Sequence, residues 1–304
     1  MIDRACISLN NICNLHCRYC YFQRSGYIVD SPALNEESAK AILENIVDYS
    51  STLSLPVFKI GLVGAGEPLL SFDLLKYIVE WAEQNDHAQL LSFYTITNGT
   101  LVTEAILDFF LIHRDRIALN FSLDGYEELH NYGRMAFDKV MAAIALYKKV
   151  LGEYPRINCT VNRQTINNKE NTLAFFKAND LNHINFSEIF DCDDSNLTIS
   201  HQDYLDFLDY IAKDGAIVFR QSIKEKHYDC QKYGRLCGVG RTNIFITAQG
   251  IYPCGRFYKN ETYKLGEYDT PLALHEKTMI QKLRPTQNGA CYYDMYIVKK
   301  EIQK

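Results

Sequence analysis

Short runs of β-branched and aromatic residues alternate along this chain with longer stretches whose apolar positions recur every three or four residues. The short runs predict strands at 4–9 (RACISL), 57–63 (VFKIGLV), 91–97 (LSFYTIT), 116–123 (RIALNFSL), 156–161 (RINCTV) and 183–189 (HINFSEI). The intervening spacing predicts amphipathic helices. Over 36–48 it sets Ala39, Ile42, Leu43, Ile46 and Val47 on one face, behind Asn35 as an N-cap. Over 201–213 it aligns Tyr204, Leu205, Leu208 and Ile211, behind Ser200 as N-cap with Asp203 in the first turn. Helices near 72–84, 103–113, 136–150 and 169–178 complete six strand–helix units.

Strands that alternate with helices pack as a parallel sheet, so the fold class is α/β. Six units suit a (β/α)-type barrel or partial barrel, and a doubly wound sheet shows the same local pattern. In a barrel the active site lies at the carboxyl ends of the strands. After about residue 215 the pattern changes, and cysteines, glycines and tyrosines become dense. A hairpin is predicted there, with 243–247 (NIFIT), a turn at Gln249-Gly250 and a return through Ile251-Tyr252. The expected domains are therefore 1–215 and 216–304.

Composition narrows the class. Of 304 residues, 47% are hydrophobic, enough for a sizeable core. The formal charge is −5 and no basic stripe appears, which argues against nucleic acid as the main partner. No apolar run approaches the about 18 residues needed to span a bilayer, so no membrane role is expected. The start, Met1-Ile2-Asp3-Arg4, lacks the basic and apolar regions of a signal peptide. Ten cysteines in such a chain are expected to be reduced thiols kept for metal, in the cytoplasm.

Three of those cysteines are crowded after the first strand, in the run Cys13-Asn14-Leu15-His16-Cys17-Arg18-Tyr19-Cys20. Three thiolates in so short a loop can serve one metal centre, and the C-x3-C-x2-C spacing differs from the paired C-x2-C of zinc ribbons. A [4Fe–4S] cubane normally takes four cysteines, so three leave one iron open. A structural zinc loop or a set of buried thiols remains the alternative reading of the spacing. The loop resembles the signature of the radical S-adenosylmethionine (SAM) enzymes, down to its Tyr19-Cys20-Tyr21 end. The resemblance implies a [4Fe–4S] cluster on Cys13, Cys17 and Cys20, and SAM chelating the open iron with Tyr19 beside it. It also implies cleavage of SAM to a 5′-deoxyadenosyl radical that takes hydrogen from a substrate, and a partial (β/α)6 barrel as the fold.

Other strand ends fit the same resemblance. Gly64-Ala65-Gly66-Glu67-Pro68 follows the second strand, where the family usually reads GGEP. Gly66 and Glu67 are thereby expected to hold SAM's ammonium group. Alone, the segment is an ordinary strand-ending turn. Thr97-Asn98-Gly99-Thr100 ends the third strand, and Asn98 is expected to face the ribose. Ser122-Leu123-Asp124-Gly125, followed by His130 and Arg134, is similar to the family's SLDG segment with its downstream Arg. Ser122 and Arg134 would contact SAM's carboxylate, a partner suited to a guanidinium fork. Asp124 would position SAM or substrate. For His130 a satisfied polar contact is expected.

The carboxyl-terminal part carries Cys230, Cys237, Cys254 and Cys291, and the segments around Cys237, Tyr252-Pro253-Cys254 and Leu265-Gly266 are similar to the SPASM/twitch subgroup. The resemblance implies one auxiliary [4Fe–4S] cluster on these four cysteines; a zinc site would use the same thiols. Cys6 and Cys159 lie in strand patterns and are expected in the core. Cys192 follows the sixth strand, in Asp191-Cys192-Asp193-Asp194, where a thiol could return hydrogen to a substrate radical; an incidental loop thiol is the alternative. SPASM/twitch enzymes mostly modify peptides, so the resemblance implies maturation of a ribosomal peptide by crosslink, thioether or epimerisation. Gly255 stands where sulfatase-maturing relatives commonly carry an Asp base. With a first strand predicted from about residue 4, no leader-recognition domain is expected before it. A peptide is thus expected to dock directly or through a separate recruiter. The electron donor is expected to be a flavodoxin or ferredoxin. The other readings are a twitch-type dehydrogenase of a small alcohol or sugar, and a non-catalytic metal scaffold.

Overall fold

The structure is a computed structural model that describes residues 1–24, 33–219, 239 and 242–282. In chain order the elements are β1 (Arg4–Ile7), α1 (Tyr21–Arg24), α2 (Glu36–Thr52), β2 (Phe58–Leu62), α3 (Phe72–Asn85), β3 (Leu91–Thr97), α4 (Glu104–Ile112) and β4 (Ile117–Ser122). They continue with α5 (Glu127–Gly133), α6 (Phe137–Leu151), β5 (Ile157–Val161), α7 (Arg163–Asn167), α8 (Lys169–Ala178) and β6 (His183–Glu188). The last are α9 (His201–Asp214), β7 (Val218–Phe219), β8 (Asn243–Thr247), β9 (Gly250–Tyr252) and α10 (Leu272–Lys282). Six expected strands and six expected helices are present, each within a few residues of its predicted ends. Among the described residues no helix is long and apolar enough to cross a membrane.

The described residues form two compact units, one of residues 1–12, 33–94, 239 and 242–282, the other of 13–24 and 95–219. In the first unit β1 is central. It pairs in parallel with β2, Ala5 opposite Ile60, and on its other side with β8, Cys6 opposite Phe245. The expected hairpin closes beyond β8, where β9 runs antiparallel with Ile246 opposite Ile251. Its turn lies one residue earlier than predicted: Gly250 is already paired with Thr247, and the Thr247 hydroxyl accepts from the Gln249 N–H at 3.1 Å. The order here is β9-β8-β1-β2-β3, with residues 91–94 of β3 belonging to this unit.

Asn35 caps α2 as predicted, in a reciprocal box with Ser38. The helix buries Ala39, Ile42, Leu43 and Ile46, then runs on to bury Tyr49, while Val47 is only half-buried. Ile42, Leu43 and Ile46 each contribute about 1.5–3 kcal/mol when fully removed from water.

The second unit continues from residues 95–97 of β3 through β4, β5, β6 and β7 in that order. Its strands run parallel, with Cys159 opposite Phe186 and Ile184 opposite Phe219. β5 alternates buried and half-buried residues along INCTV, so Cys159 points into the core. α9 begins at the Ser200–Asp203 capping box. It buries Tyr204, Phe207, Leu208 and Ile211, and Leu205 is half-buried instead. Positions 204, 207, 208 and 211 follow the 3.6-residue period, and 205 falls one step off that stripe.

Candidate active site

The second unit holds the cysteine loop. Cys13, Cys17 and Cys20 form no disulfide and are half-buried. A turn sets the Cys20 N–H on the Cys17 carbonyl at 3.0 Å, and the Arg18 N–H donates to the Gly133 carbonyl at 2.9 Å. Gly133 is required by this approach, since a side chain there would meet the Tyr19 ring at 2.7 Å, well inside contact. At the start of the loop, Asn14 donates to the Thr100 hydroxyl at 2.7 Å and Asn98 donates to the Asn14 side chain at 2.9 Å. The turn predicted at Thr97–Thr100 therefore grips the residue next to Cys13.

Asp124 lies just past the carboxyl end of β4 and is wholly buried. Its carboxylate accepts from the Tyr19 hydroxyl, from Arg134 Nε at 3.1 Å, and from the Thr160 N–H at 2.9 Å. One carboxylate thus ties the cysteine loop to β5 and to the residue that ends α5. A buried charge needs a charged or hydrogen-bonded partner, and Arg134 is that partner. Burial acts against the Arg134 charge, but Asp124, Tyr19 and Cys17 outweigh it and hold its pKa above the usual value. Burial and the Asp124 charge likewise keep the Tyr19 phenol protonated, against the pull of Arg134. The Cys17 thiol is pushed up to about 11, mainly by burial; Arg134 lowers it, and Cys20, Asp124 and Cys13 raise it.

His130 makes the polar contacts expected of it. Its Nδ1 accepts from the Asp124 N–H at 3.3 Å, which makes Nε2 the donor to the Met135 carbonyl at 3.1 Å. Burial pushes its pKa down to about 4, so the ring is neutral. The bond to Met135 steadies a sharp turn in which Met135 and Ala136 take φ of 78° and 65°, in the left-handed region. Arg134 immediately precedes that turn.

Ser122 ends β4 and is buried. Cys192 is half-buried and packs against a cluster of Tyr19, Ile189 and Leu197, together with Tyr132 and Ile199. Beside it, Asp194 pairs with Arg18 at 2.7 Å, and the Arg18 guanidinium lies 4.3 Å from the Tyr132 ring centre. The Asp194 carboxyl is held below its ordinary value, first by the Asn196 N–H.

In the first unit the segment 64–68 folds around Asn10. Ser8 Oγ accepts from the Ala65 N–H at 3.0 Å, and Asn10 donates to the Glu67 carbonyl at 3.0 Å. Glu67 is buried; its N–H donates to the Ile12 carbonyl at 2.8 Å and its carboxylate accepts from the Leu69 N–H at 3.2 Å. A side chain on Gly66 would collide with Asn10 and the Ile12 carbonyl, and one on Gly64 would collide with Ser8. Ala65, between them, tucks its methyl into a buried position. Of the three small residues 64–66, the alanine therefore stands at the one where a methyl fits. Ser8, Asn10, Gly64, Gly66 and Pro68 line a small cleft.

Of the carboxyl-terminal cysteines, Cys254 is half-buried after β9, and Cys230, Cys237 and Cys291 lie outside the described residues. Reasoning from sequence missed Asn10, Asn14 and Thr160. Only the Asn10-Asn11 pair, polar residues directly after an apolar strand, carried a signal of use.

Among the described residues no three His, Cys, Asp or Glu side chains converge on one point as a single metal ion requires. In a cubane each cysteine binds a different iron, so its thiols need not converge. The loop fits that case: three thiols that form no disulfide share one short loop, and Cys17 feels the charge of both others.

The model of the radical SAM superfamily matches residues 7–162. An uncharacterized protein of Methanocaldococcus jannaschii is 31% identical over 121 residues, which cover 40% of this chain and 38% of that relative. The fold is similar to that of anSMEcpe with bound AdoMet, at 21% identity and a TM-score of 0.75, over 94% of this chain and 81% of that one. The same enzyme with AdoMet and Cp18Cys peptide gives a TM-score of 0.74 at 21% identity, with the same coverage of both chains. Streptococcus suis SuiB bound to precursor peptide SuiA is 16% identical with a TM-score of 0.74, over 98% of this chain and 73% of that one.

Proposed function

The chain belongs to the radical SAM superfamily and is an enzyme of that kind, and from that premise we propose that its substrate is a peptide. The observation behind the chemistry is the cysteine loop locked to Asp124 and Arg134 through Tyr19. Cys13, Cys17 and Cys20 would hold a [4Fe–4S] cluster, and SAM bound to it would supply radical chemistry at a substrate carbon. The chain's own part is to orient and to exclude water. Asp124 is engaged on both oxygens and wholly buried, which suits it to holding Tyr19 and Arg134 rather than to touching substrate. Arg134 brings a fixed positive charge to the loop, and with Ser122 it is proposed to take SAM's carboxylate. Asn98 is proposed to meet the ribose, and Gly66 with Glu67 the ammonium group.

The peptide reading draws on the likeness in fold to anSMEcpe and SuiB, both seen with peptides. The carboxyl-terminal resemblance to the SPASM/twitch subgroup agrees with it. Cys254 is proposed to join Cys230, Cys237 and Cys291 in holding an auxiliary cluster. Cys192, packed against Tyr19, is proposed as the hydrogen donor that closes a turnover. Electrons would come from a flavodoxin or ferredoxin, in the reducing cytoplasm, and a separate recruiter would deliver the peptide if it does not dock directly.

The test incubates anaerobically reconstituted, reduced enzyme with SAM and short peptides encoded beside its gene. The reading expects peptide-dependent 5′-deoxyadenosine and a change in peptide mass or stereochemistry. Formation of 5′-deoxyadenosine that no such peptide stimulates, with a two-hydrogen loss from an alcohol or sugar instead, would replace the peptide by a small molecule.

A further inference from the structure

Two of the three loop thiols are each met by a side-chain N–H. Asn98 Nδ2 stands 3.9 Å from Cys13 Sγ, and Arg134 Nη1 stands 4.0 Å from Cys17 Sγ. These are long hydrogen bonds, as sulfur acceptors allow, and each donor is braced by a network of its own.

The Asn98 amide cannot turn over. Its Oδ1 accepts from the Thr100 N–H at 3.0 Å and from the Thr100 hydroxyl at 2.7 Å. A backbone N–H can only donate, so it must face the oxygen. That leaves Nδ2 pointing at Asn14 and at the Cys13 sulfur. Arg134 is held by a different set. Its Nε rests on both oxygens of Asp124, and Nη2 donates to the Thr160 hydroxyl at 3.2 Å. Nη1 is the arm directed at Cys17. Thr160 anchors both partners, since its backbone N–H holds Asp124 while its hydroxyl holds Arg134.

The resemblance gives Asn98 and Arg134 to SAM. Their geometry gives each a second target, on the cysteines themselves. A cysteine that ligates an iron–sulfur cluster is a thiolate, and hydrogen bonds to its sulfur are among the factors that set the reduction potential. Adding an electron makes the centre more negative, so a donor or a cation at the sulfur stabilises the reduced form more than the oxidised one. We propose that Asn98 and Arg134 are positioning residues of the cluster as well as of its ligand, donating to the Cys13 and Cys17 sulfurs and raising its reduction potential before SAM arrives. The proposal rests on the reading of Cys13, Cys17 and Cys20 as cluster ligands. It carries a division of labour: Asn98 acts through a neutral N–H, and Arg134 adds a full charge that Asp124 and Thr160 keep in place.

The experiment uses the full chain, reconstituted without oxygen. The EPR signal that changes on adding SAM is identified first, then titrated with dithionite and mediators in the absence of SAM. Asn98→Leu and Arg134→Met should both shift the midpoint to more negative values, Arg134→Met further. Exchangeable-proton couplings to the reduced cluster, read by ENDOR, should be lost one set at a time. Removing Arg134 unpairs the buried Asp124, so Thr160→Val is measured beside it. That change keeps both charges, frees the Nη2 anchor, and should give a smaller shift of the same sign. Midpoints and proton couplings equal to wild type in Asn98→Leu and Thr160→Val would overturn the proposal, even if SAM bound more weakly. A wild-type chain with no SAM-responsive cluster signal would overturn instead the reading of the three cysteines.

Discussion

Acidification should weaken the fold around Arg134 through one neutral ring, that of His130. Burial is the main cause that pushes its pKa down to about 4 from an ordinary 6.5; Asp124 pulls it up and Arg134 adds to the lowering. The folded chain needs an unprotonated Nδ1 to accept the Asp124 N–H. The unfolded chain has no such need. As pH drops below 6.5, the unfolded state takes up a proton that the folded state refuses, and stability falls until the folded ring is also protonated near 4. The difference between the two values corresponds to about 3 kcal/mol in all, of which about 2 kcal/mol is lost between about pH 7.5 and about pH 5. The ring is 1% exposed, so solvent screening takes little from that figure. Asp203 and Asp214, held low by the Ser200 N–H and by Lys177 respectively, act below this window. His275, also buried and lowered, acts within it. The measurement must therefore be a difference. His130→Gln keeps an acceptor and a donor but has nothing to protonate. Urea unfolding of both proteins should show a stability gap that favours wild type at about pH 7.5 and shrinks by about 2 kcal/mol at about pH 5. A gap that does not change with pH, or a His130 resonance that titrates near its ordinary value, would refute the reasoning.

Asp124→Asn keeps the shape of the side chain and removes the charge that Arg134 needs. Breaking one partner out of a buried ion pair costs about 3–5 kcal/mol, so urea unfolding should show a loss of that order, and a loss under about 1 kcal/mol would mean that Arg134 finds another partner. Gly66→Ala forces a methyl against Asn10 and the Ile12 carbonyl and should cost about 1–3 kcal/mol by overpacking. Ala65→Gly, at the position where a methyl already fits, should cost less than about 1 kcal/mol. Equal melting temperatures for the two variants would contradict the fit described for this segment.

Local signals were read well because they are local. β3 reads LSFYTIT, and its β-branched and aromatic residues mark it as a strand without reference to any distant partner. Asn35 and Ser200 cap their helices through residues three positions away, within reach of any reader of the chain. α5 and α7 escaped because they are short and polar, with too few turns to show a period. β7 escaped because two residues carry no period at all, and pairing with β6 is what makes them a strand. The hairpin at 243–252 was legible as a hairpin. Its place beside β1 was not, because a parallel pairing between residues 4 and 243 leaves no mark near either.

Residue identity and spacing marked a tricysteine metal loop, and the resemblance of that loop and of the strand-ending segments to a known family supplied the chemistry. What those side chains touch had to wait for the fold. Asp124 was marked to position SAM or substrate, and both its oxygens meet Tyr19, Arg134 and the Thr160 N–H, residues 105, 10 and 36 positions away. Asn98 and Arg134 were marked for a cofactor, and their N–H groups also face two sulfurs. Hydrogen bonds and ion pairs act over a few ångströms of space, and a linear string records neighbours along the chain alone. Amino-acid order thus settled the kinds of element and the kind of chemistry, while the packing of strands and loops settled which donor meets which acceptor.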